Sequence, residues 1–328
     1  MKVLITGGAG LVGSSLTKRL LARGDSVLSV DDFTLGTQRH ISDFTSHTGF
    51  HFEKRDVSQA DWYRGIAGAQ GFDLLIHHAA NSDISLGHAR PEMDYQRTLL
   101  TTFEALQAAR QLKIPNFIFS SSSAVYGVDP VMPTPEETTP MYPVSIYGAG
   151  KLASENFISA FVENYGLNAW VYRFGNVVGE RLTHGVIYDF TKRLLADPKL
   201  LTVLGNGNQN KTYIDVEDCV SGILHAYDKS PAGVGRNSHR RRFQVFNLST
   251  DGACSVREIA QECNRAIVGG SAAIEYGEAA IGWVGDVPKT SLEVSRMARL
   301  GWAPRLDSRQ AVFKSIQDHY GWVKSEKL

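Results

Sequence analysis

The chain has 328 residues, 43% hydrophobic and 21% charged, which is typical of a globular protein and excludes a disordered or fibrous one. Its 34 Lys and Arg residues equal its 34 Asp and Glu residues in number, so no overall basic field favours nucleic acid. The three cysteines, Cys219, Cys254 and Cys263, are too few and too irregularly spaced for a disulfide framework or a zinc site.

No segment of the sequence has the character of a membrane span. A membrane helix needs about 18 or more consecutive apolar residues, and no run approaches that length. The apolar N-terminus is interrupted by glycines and lacks a small-residue cleavage site, which argues against a signal peptide. We therefore expect a soluble, cytoplasmic protein that contacts neither membrane nor nucleic acid and holds no metal.

Residues 1–175 alternate short apolar runs with longer amphipathic segments. This alternation is typical of parallel strands joined by crossover helices, and strands apolar on both faces indicate a sheet covered on both sides. The predicted strands are Val3–Thr6, Ser26–Val30, Phe50–Lys54, Asp73–His77, Asn116–Ser120 and Ala169–Phe174. The predicted helices are Leu11–Arg23, Glu92–Leu112 and Ile146–Tyr165. We expect residues 1–175 to form the first domain, an α/β fold with a Rossmann-type doubly wound parallel sheet, which binds ligands at the carboxyl ends of its strands.

Residues 176–328 show a looser alternation of strand and helix signals. The predicted helices are Val186–Ala196, Val216–Asp228, Ser255–Ile267 and Ser308–Val323. The predicted strands are Leu201–Leu204, Thr212–Ile214 and Phe243–Leu248. Ser255 and Glu258 have the spacing of a capping box. This half predicts a smaller mixed α/β region that binds substrate, with some segments returning to the first domain.

A glycine-rich turn follows the first predicted strand. Gly7, Gly10 and Gly13 lie between that strand and the first predicted helix, the setting in which such a motif binds a dinucleotide. Glycines let the backbone turn tightly and approach a pyrophosphate, and the helix N-terminus offers free N–H groups to phosphate oxygens. The turn, which includes Leu11 and Val12, therefore predicts a dinucleotide site.

Acidic residues end the second and third predicted strands. Asp31 lies 18 positions after Gly13, where a carboxylate can accept hydrogen bonds from the adenosine ribose. The same charge repels a 2′-phosphate, so we predict NAD rather than NADP. Asp32 could share this role, and Asp56 at the end of the third strand could reach the adenine.

Four serines and a tyrosine–lysine pair complete the candidate site. Ser120–Ser123 follow the fifth strand, where open α/β sheets bind ligands. Tyr147 and Lys151 are four positions apart, so one helix face carries both. A nearby ammonium and a positively charged nicotinamide stabilise a phenolate, which would draw the pKa of Tyr147 towards neutrality. Taken alone, the pair also fits an ordinary helix start with surface side chains.

Together these segments resemble the extended short-chain dehydrogenases/reductases, in the NAD-dependent nucleotide-sugar epimerase/dehydratase family. The matching segments stand in family order over nearly the whole chain: TGGAGLVGS, DD, RDVS, HHAA, FIFSSSSAVYG, SIYGAGK, RFGNVVG, YIDVEDC and GDVP. The resemblance implies catalytic roles for Ser122, Tyr147 and Lys151. It also implies cofactor contacts from Val57, Ala79, Ala80, Ser120, Tyr147 and Lys151.

The residues after Ser122 indicate which reaction the resemblance implies. Family dehydratases carry an Asp-Glu pair directly after the catalytic Ser or Thr, whereas this chain has Ser123 and Ala124. Elimination of water would lack its acid and its base without those carboxyl groups. Epimerisation, which needs only reversible hydride transfer and a ketone that turns over in the site, is therefore favoured.

The resemblance also implies that the second half holds the nucleotide diphosphate. The implied substrate contacts are Ser122, Ser123, Tyr147, Asn176, Val186, Lys211, Trp283 and Asp286. Lys211 and Trp283 stand where many members have arginine, and Arg181 or the arginines at 240–242 could compensate. Arg97 replaces an asparagine that is common in the helix after the fourth strand.

We expect an NAD-dependent epimerase that inverts C4 of a nucleotide sugar, a UDP-hexose or UDP-hexuronate, through a transient 4-keto intermediate. The resemblance implies a homodimer formed through the helices Glu92–Leu112 and Ile146–Tyr165. Two alternatives stay open: a 2-epimerase or net oxidoreductase on the same scaffold, and a non-catalytic NAD-binding scaffold protein. The complete set of serine, tyrosine and lysine argues against the scaffold, which needs none of them.

Overall fold

Seven parallel strands form the main sheet of the molecule. The computed structural model describes residues 1–68, 70–230, 241–280, 282 and 285–325. Its strands are β1 (Lys2–Thr6), β2 (Ser26–Asp31), β3 (Phe50–Lys54), β4 (Leu74–His77), β5 (Asn116–Ser122), β6 (Asn168–Phe174), β7 (Asn176–Val178), β8 (Leu200–Val203), β9 (Asn210–Lys211), β10 (Tyr213–Asp215), β11 (Phe243–Leu248), β12 (Cys254–Ser255) and β13 (Ala273–Tyr276). The main sheet has the order β11-β6-β5-β4-β1-β2-β3, and every neighbouring pair in it is parallel.

Helices cover both faces of this sheet. The α-helices of the described residues, including those that pack elsewhere, are α1 (Leu11–Ala22), α2 (Gln38–Ile41), α3 (Ile84–Ala89), α4 (Pro91–Asp94), α5 (Thr101–Gln111), α6 (Ile146–Tyr165), α7 (Val186–Ala196), α8 (Val216–Lys229), α9 (Val256–Val268), α10 (Ser295–Arg299) and α11 (Ser308–Ser325). Successive residues of β1 point to opposite faces. Ile5 packs in one core with Leu16 of α1, and Leu4 packs in the other with Leu106 of α5. The predicted α/β fold with a doubly wound parallel sheet is confirmed.

The helix predicted over Glu92–Leu112 is wrong as a single element. The chain forms α4, then a π-helical segment over Tyr95–Leu100, and then α5. Hydrophobic periodicity could not reveal this break, because a wider turn changes the backbone hydrogen bonds without interrupting the apolar pattern. The short helix α3 was not predicted either.

Residues after 175 form three two-stranded sheets, which pair β7 with β10, β8 with β13 and β9 with β12. A third core, which includes Ile187, Leu201 and Ile259, lies between α7, α9 and α11. The capping box at α9 is present, because the Ser255 hydroxyl and the Glu258 carboxylate each accept the other's backbone N–H. Strand β11 pairs with β6 of the main sheet. The predicted domain boundary at residue 175 stays a prediction.

Across the described ranges, no helix combines the length and the hydropathy that a membrane crossing requires.

Candidate active site

A cavity of about 710 Å³ opens at the carboxyl end of the main sheet. Most of the residues that the sequence predicts for the site line this one cavity. They are Gly7, Gly10, Leu11, Val12, Gly13, Asp31, Asp32, Val57, Ala79, Ala80, Ser120, Ser122, Tyr147, Lys151, Asn176, Val186, Lys211 and Asp286. The fold therefore brings together residues that lie far apart along the chain.

The glycine turn between β1 and α1 is shaped by close backbone contacts. Gly7 has a φ of +74°, and a Cβ there would lie 2.5 Å from the backbone nitrogen of Ala79. A Cβ on Gly13 would lie 2.2 Å from the carbonyl oxygen of Gly7. Gly10 precedes α1, and no side chain caps the first turn of that helix. This cradle, with the helix N-terminus behind it, fits the pyrophosphate of a dinucleotide.

The acid at the end of β2 also supports the glycine turn. Asp31 is 8% exposed, and its carboxylate accepts the backbone N–H of Ala9 at 3.0 Å and of Phe33 at 2.8 Å. Burial raises the pKa of Asp31, and these two backbone hydrogen bonds oppose the rise. The carboxylate lines the cavity beside the turn, where an adenosine ribose fits. The cavity residues therefore fit NAD.

The structure places Asp56 next to the cavity lining. Asp56 accepts hydrogen bonds from the Arg97 guanidinium at 3.0 Å and from the Ser58 hydroxyl at 2.7 Å. Asp56 itself is not among the described lining residues, whereas Arg97, Arg55 and Val57 are. The contact between Asp56 and an adenine stays a prediction.

Tyr147 and Lys151 face the cavity from the first turns of α6. The helix begins after Ser145, whose hydroxyl accepts the N–H of Gly148 at 3.0 Å. Lys151 is only 2% exposed, and its Nζ donates to the carbonyl oxygen of Ser120 at 2.6 Å. The same Nζ lies 5.7 Å from the centre of the Tyr147 ring. The Ser122 side chain at the end of β5 lies close enough to the phenol to lower the pKa of Tyr147.

Burial dominates the titration of this pair in the cofactor-free protein. Burial raises the pKa of Tyr147 to about 12, against the opposing effect of its hydrogen bond with Ser122. Burial also lowers the pKa of Lys151 to about 7, and the negative charges of Glu155 and Asp94 oppose that fall. We expected the phenol pKa to move towards neutrality with cofactor bound. In the protein alone it moves away from neutrality, because desolvation outweighs the other effects.

Two further residues of this region were missed by sequence reasoning. His78 lines the cavity, and its Nδ1 is hydrogen-bonded to the Ser120 hydroxyl. The carbonyl oxygen of the same serine accepts a hydrogen bond from Lys151. Burial lowers the pKa of His78 to about 3, so the ring is neutral. Asp94 is fully buried and accepts a hydrogen bond from Asn81 at 2.8 Å. The HHAA segment pointed towards His78, but no motif indicated Asp94.

The far side of the cavity carries the predicted substrate residues. Lys211 forms an ion pair with Asp286 at 2.6 Å, and the Asn176 amide donates to the carbonyl oxygen of Thr212 at 3.0 Å. Val186 begins α7, whose Arg193 also lines the cavity. Sequence reasoning missed Arg193, which is a cation on the same side as Lys211.

Some predicted contacts on this side lie away from the described cavity lining, and others fall outside the described residues. Ser123 lines a small depression with Tyr126 and Met132 and not the main cavity, because the chain turns away after β5. Trp283 lies outside the described residues, as does the arginine at 240. Arg181 forms an ion pair with Asp43 and donates to the carbonyl oxygen of His40. Arg181 is not among the described residues that line the cavity, and its replacement of a diphosphate-binding arginine stays a prediction.

Among the described residues, no group of three or more His, Cys, Asp or Glu side chains is arranged to hold a metal ion. His77 and His78 do not form a pair of metal ligands, because the ring nitrogens of His77 are hydrogen-bonded to Thr6 and Thr102 on the other side of β4.

Comparison with known proteins places the chain among sugar-nucleotide enzymes. The model of the NAD dependent epimerase/dehydratase family matches residues 3–247. The UDP-glucose 4-epimerase of Mycolicibacterium smegmatis is 30% identical over 323 residues, which cover 97% of this chain and 98% of that protein. UDP-glucuronate 4-epimerase 2 of Arabidopsis thaliana is 25% identical, and the matched region covers 99% of this chain and 77% of that protein. A crystal structure of a UDP-galactose 4-epimerase has 33% identity and a TM-score of 0.85, with full coverage of both chains.

Proposed function

Since the chain belongs to the NAD dependent epimerase/dehydratase family, we propose that it is an NAD-dependent 4-epimerase of a UDP-sugar. The observation that carries this proposal is the meeting of Ser122, Tyr147 and Lys151 at the cavity that also contains the glycine turn. A UDP-glucose 4-epimerase that is 30% identical over nearly the full length of both chains supports the same activity. The UDP-galactose 4-epimerase structure, which matches the fold over both full chains, supports it as well.

The phenol of Tyr147 serves as the acid and base. NAD, when bound, supplies a hydride acceptor and donor beside the sugar. Tyr147 takes the proton from the C4 hydroxyl as that carbon is oxidised, and it returns the proton when the opposite face of the ketone is reduced. Ser122 lies beside the same phenol and holds the sugar hydroxyl in line by a hydrogen bond. The cofactor is unchanged over the full reaction, so the net result is inversion at C4.

Lys151 keeps this phenol reactive. Its ammonium lies beside the tyrosine ring and would stabilise the phenolate that forms when a proton leaves. Because burial brings the pKa of Lys151 to about 7, nearby charge decides whether this side chain is protonated at neutral pH. Glu155 and Asp94 both favour the charged form.

The residues around Ser122 support epimerisation over elimination. Ser123 and Ala124 follow it, and the chain turns there into a short helical segment that carries no carboxyl group beside the tyrosine. Water loss from the sugar would therefore lack an acid and a base at this position. Epimerisation instead requires the 4-keto sugar to rotate within the cavity. The cavity volume of about 710 Å³ gives the sugar room to do so beside a cofactor.

On the far side of the cavity, the described lining residues include the cations Lys211 and Arg193 and the amide of Asn176, which would contact a diphosphate. Lys211 is already paired with Asp286, so a diphosphate would share this ammonium with a carboxylate. This arrangement supports residues 176–328 as the region that holds the nucleotide sugar, and residues 1–175 as the region that holds NAD.

We further propose a homodimer that works in the cytoplasm. Helices α5 and α6 carry aromatic side chains on one surface, and Phe157 and Tyr165 there are exposed. An exposed apolar surface of this kind is typical of a subunit interface. The three cysteines are free thiols, which is consistent with a reducing compartment.

The function is tested by incubating the purified protein with a panel of UDP-, dTDP-, CDP- and GDP-sugars and identifying epimers by NMR. We expect a UDP-hexose or UDP-hexuronate to give its C4 epimer without net change of the cofactor. Inversion at C2, accumulation of reduced cofactor, or no turnover of any UDP-sugar would each contradict the proposal.

A further inference from the structure

Arg97 has an unusual position for a cation in this cavity. It lies in the π-helical segment Tyr95–Leu100 and lines the cavity on the side of the β2 and β3 ends. Its Nη1 donates to the Asp32 carboxylate at 2.5 Å and to the Asp56 carboxylate at 3.0 Å. One guanidinium therefore joins the loops that follow two neighbouring strands.

This ion-pair network lies where the cofactor's adenosine ribose fits. The acid that receives the ribose hydroxyls ends β2 in this fold, and Asp32 is the next residue after that strand. A guanidinium within hydrogen-bond distance of Asp32 is therefore close to the 2′ position of the ribose. Arginine is the side chain that best matches a phosphate, because its planar set of N–H groups binds two oxygens at once.

Asp31 and Asp32 differ in what they bind. Both carboxylate oxygens of Asp31 accept backbone N–H groups, from Ala9 and Phe33, so Asp31 supports the local chain. One oxygen of Asp32 accepts the N–H of Thr34, and the other is bonded to Arg97. Asp32 is therefore the carboxylate whose charge can be removed with little change to the glycine turn.

We propose that Arg97 is a masked 2′-phosphate site, and that Asp32 and Asp56 occupy its guanidinium so that the cavity selects NAD over NADP. The two carboxylates neutralise the cation and add negative charge at the 2′ position. Loss of the Asp32 charge leaves Arg97 only partly neutralised and able to turn towards a phosphate. The inference depends on the NAD site and is independent of which sugar is epimerised.

The test compares two ligands that differ only by the 2′-phosphate. Full-length protein freed of bound nucleotide is titrated calorimetrically with ADP-ribose and with 2′-phospho-ADP-ribose. We expect Asp32→Asn to improve the affinity for the phosphorylated ligand relative to ADP-ribose by about tenfold or more, the scale of one charge-assisted hydrogen bond. The double variant Asp32→Asn with Arg97→Gln should lose that gain, because the phosphate then has no guanidinium.

A matched control removes an acid from a different ion pair. Asp43 pairs with Arg181 and does not line the cavity within the described ranges, so Asp43→Asn should leave the affinity ratio unchanged. The inference is wrong if Asp32→Asn gives no gain, or if the gain persists in the double variant. Retained binding of ADP-ribose shows that each variant is folded, and Asp32→Ser replaces Asp32→Asn if the latter does not fold. Because the readout is binding, failure of the sugar assay would not affect the result.

Discussion

At the residue scale, the phenol of Tyr147 is the group on which the chemistry depends. We expect Tyr147→Phe to lower kcat by about 10²- to 10⁴-fold, the usual contribution of one general acid–base group. NAD binding should persist, because the glycine turn and Lys151 are untouched. Initial rates and cofactor titration on the same preparation measure both effects. Tyr142→Phe, which removes an exposed hydroxyl outside the cavity lining that the structure describes, is the control and should keep full activity.

The buried ammonium of Lys151 should make stability depend on pH. Its pKa is about 7 in the folded protein against an ordinary value of 10.5, so between these values the unfolded chain binds more protons. The free energy of unfolding of the cofactor-free protein should therefore rise with pH over this window, by up to about 1.4 kcal/mol per pH unit from this group.

Lys151→Met isolates that contribution. The advantage in stability of the variant over the wild type should be largest near pH 7 and shrink towards pH 10, as measured by urea unfolding. Lys229→Met, which replaces an exposed lysine on α8, should show no such trend. A constant difference between Lys151→Met and wild type across this range would contradict the burial-induced pKa shift.

The sequence correctly predicted those cavity-lining residues that a single local motif specifies by residue type and position. The glycine turn, Asp31 and the pair of Tyr147 and Lys151 belong to this class, and all of them line the cavity. Pairing between distant side chains could not be read in this way. The pairing of Lys211 with Asp286 depends on residues 75 positions apart that only the fold brings together.

At the element scale, α6 is fixed to the sheet by a buried ion pair. Arg173 of β6 and Glu155 of α6 are each 4% exposed and are joined by two hydrogen bonds, at 2.6 and 3.0 Å. Ser121 of β5 donates to the same carboxylate at 2.5 Å. The helix that carries Tyr147 and Lys151 is therefore held in position relative to Ser122.

Glu155→Gln should destabilise the protein by roughly 3–5 kcal/mol, because it leaves the Arg173 guanidinium buried without a counter-charge. It should also lower the pKa of Lys151 further, since Glu155 is the main charge that opposes the effect of burial. Chemical unfolding measures the first effect. Glu163→Gln, an exposed site on the same helix, is the control. A loss of stability no larger than in the control would show that the ion pair contributes little.

Several element boundaries were predicted correctly. Strand β3 and helices α6 and α7 have the predicted bounds. The π-helical segment Tyr95–Leu100 was missed, although it carries Arg97. An apolar pattern reports which face is buried, and it does not report a local change in helical winding.

At the scale of the whole molecule, the proposed dimer makes a direct prediction about mass. Light scattering should give twice the 36.0 kDa of one chain. Phe157 is 42% exposed on α6, and Phe157→Glu should shift the protein to monomer because a charge would be buried in the interface. Val131→Glu, at an exposed apolar residue outside both helices, should stay dimeric. A wild-type monomer would overturn the proposed assembly.

The overall fold was predictable because alternating strands and helices leave few topologies. Parallel strands joined by crossover helices require helices on both faces, and the observed sheet has them. The return of β11 to the edge of that sheet is a long-range pairing that no local pattern encodes. The family assignment is confirmed, since it depends on motifs spread over nearly the whole chain.

The central claim is hydride transfer at C4 with Tyr147 as acid and base, and isotope retention tests it most directly. The protein is incubated with UDP-glucose deuterated at C4 in ordinary water, and the products are examined by NMR. We predict UDP-galactose that keeps the deuterium at C4, and at least a hundredfold slower conversion by Tyr147→Phe. Loss of the deuterium to water, inversion at another carbon, or undiminished turnover by the variant would contradict the account.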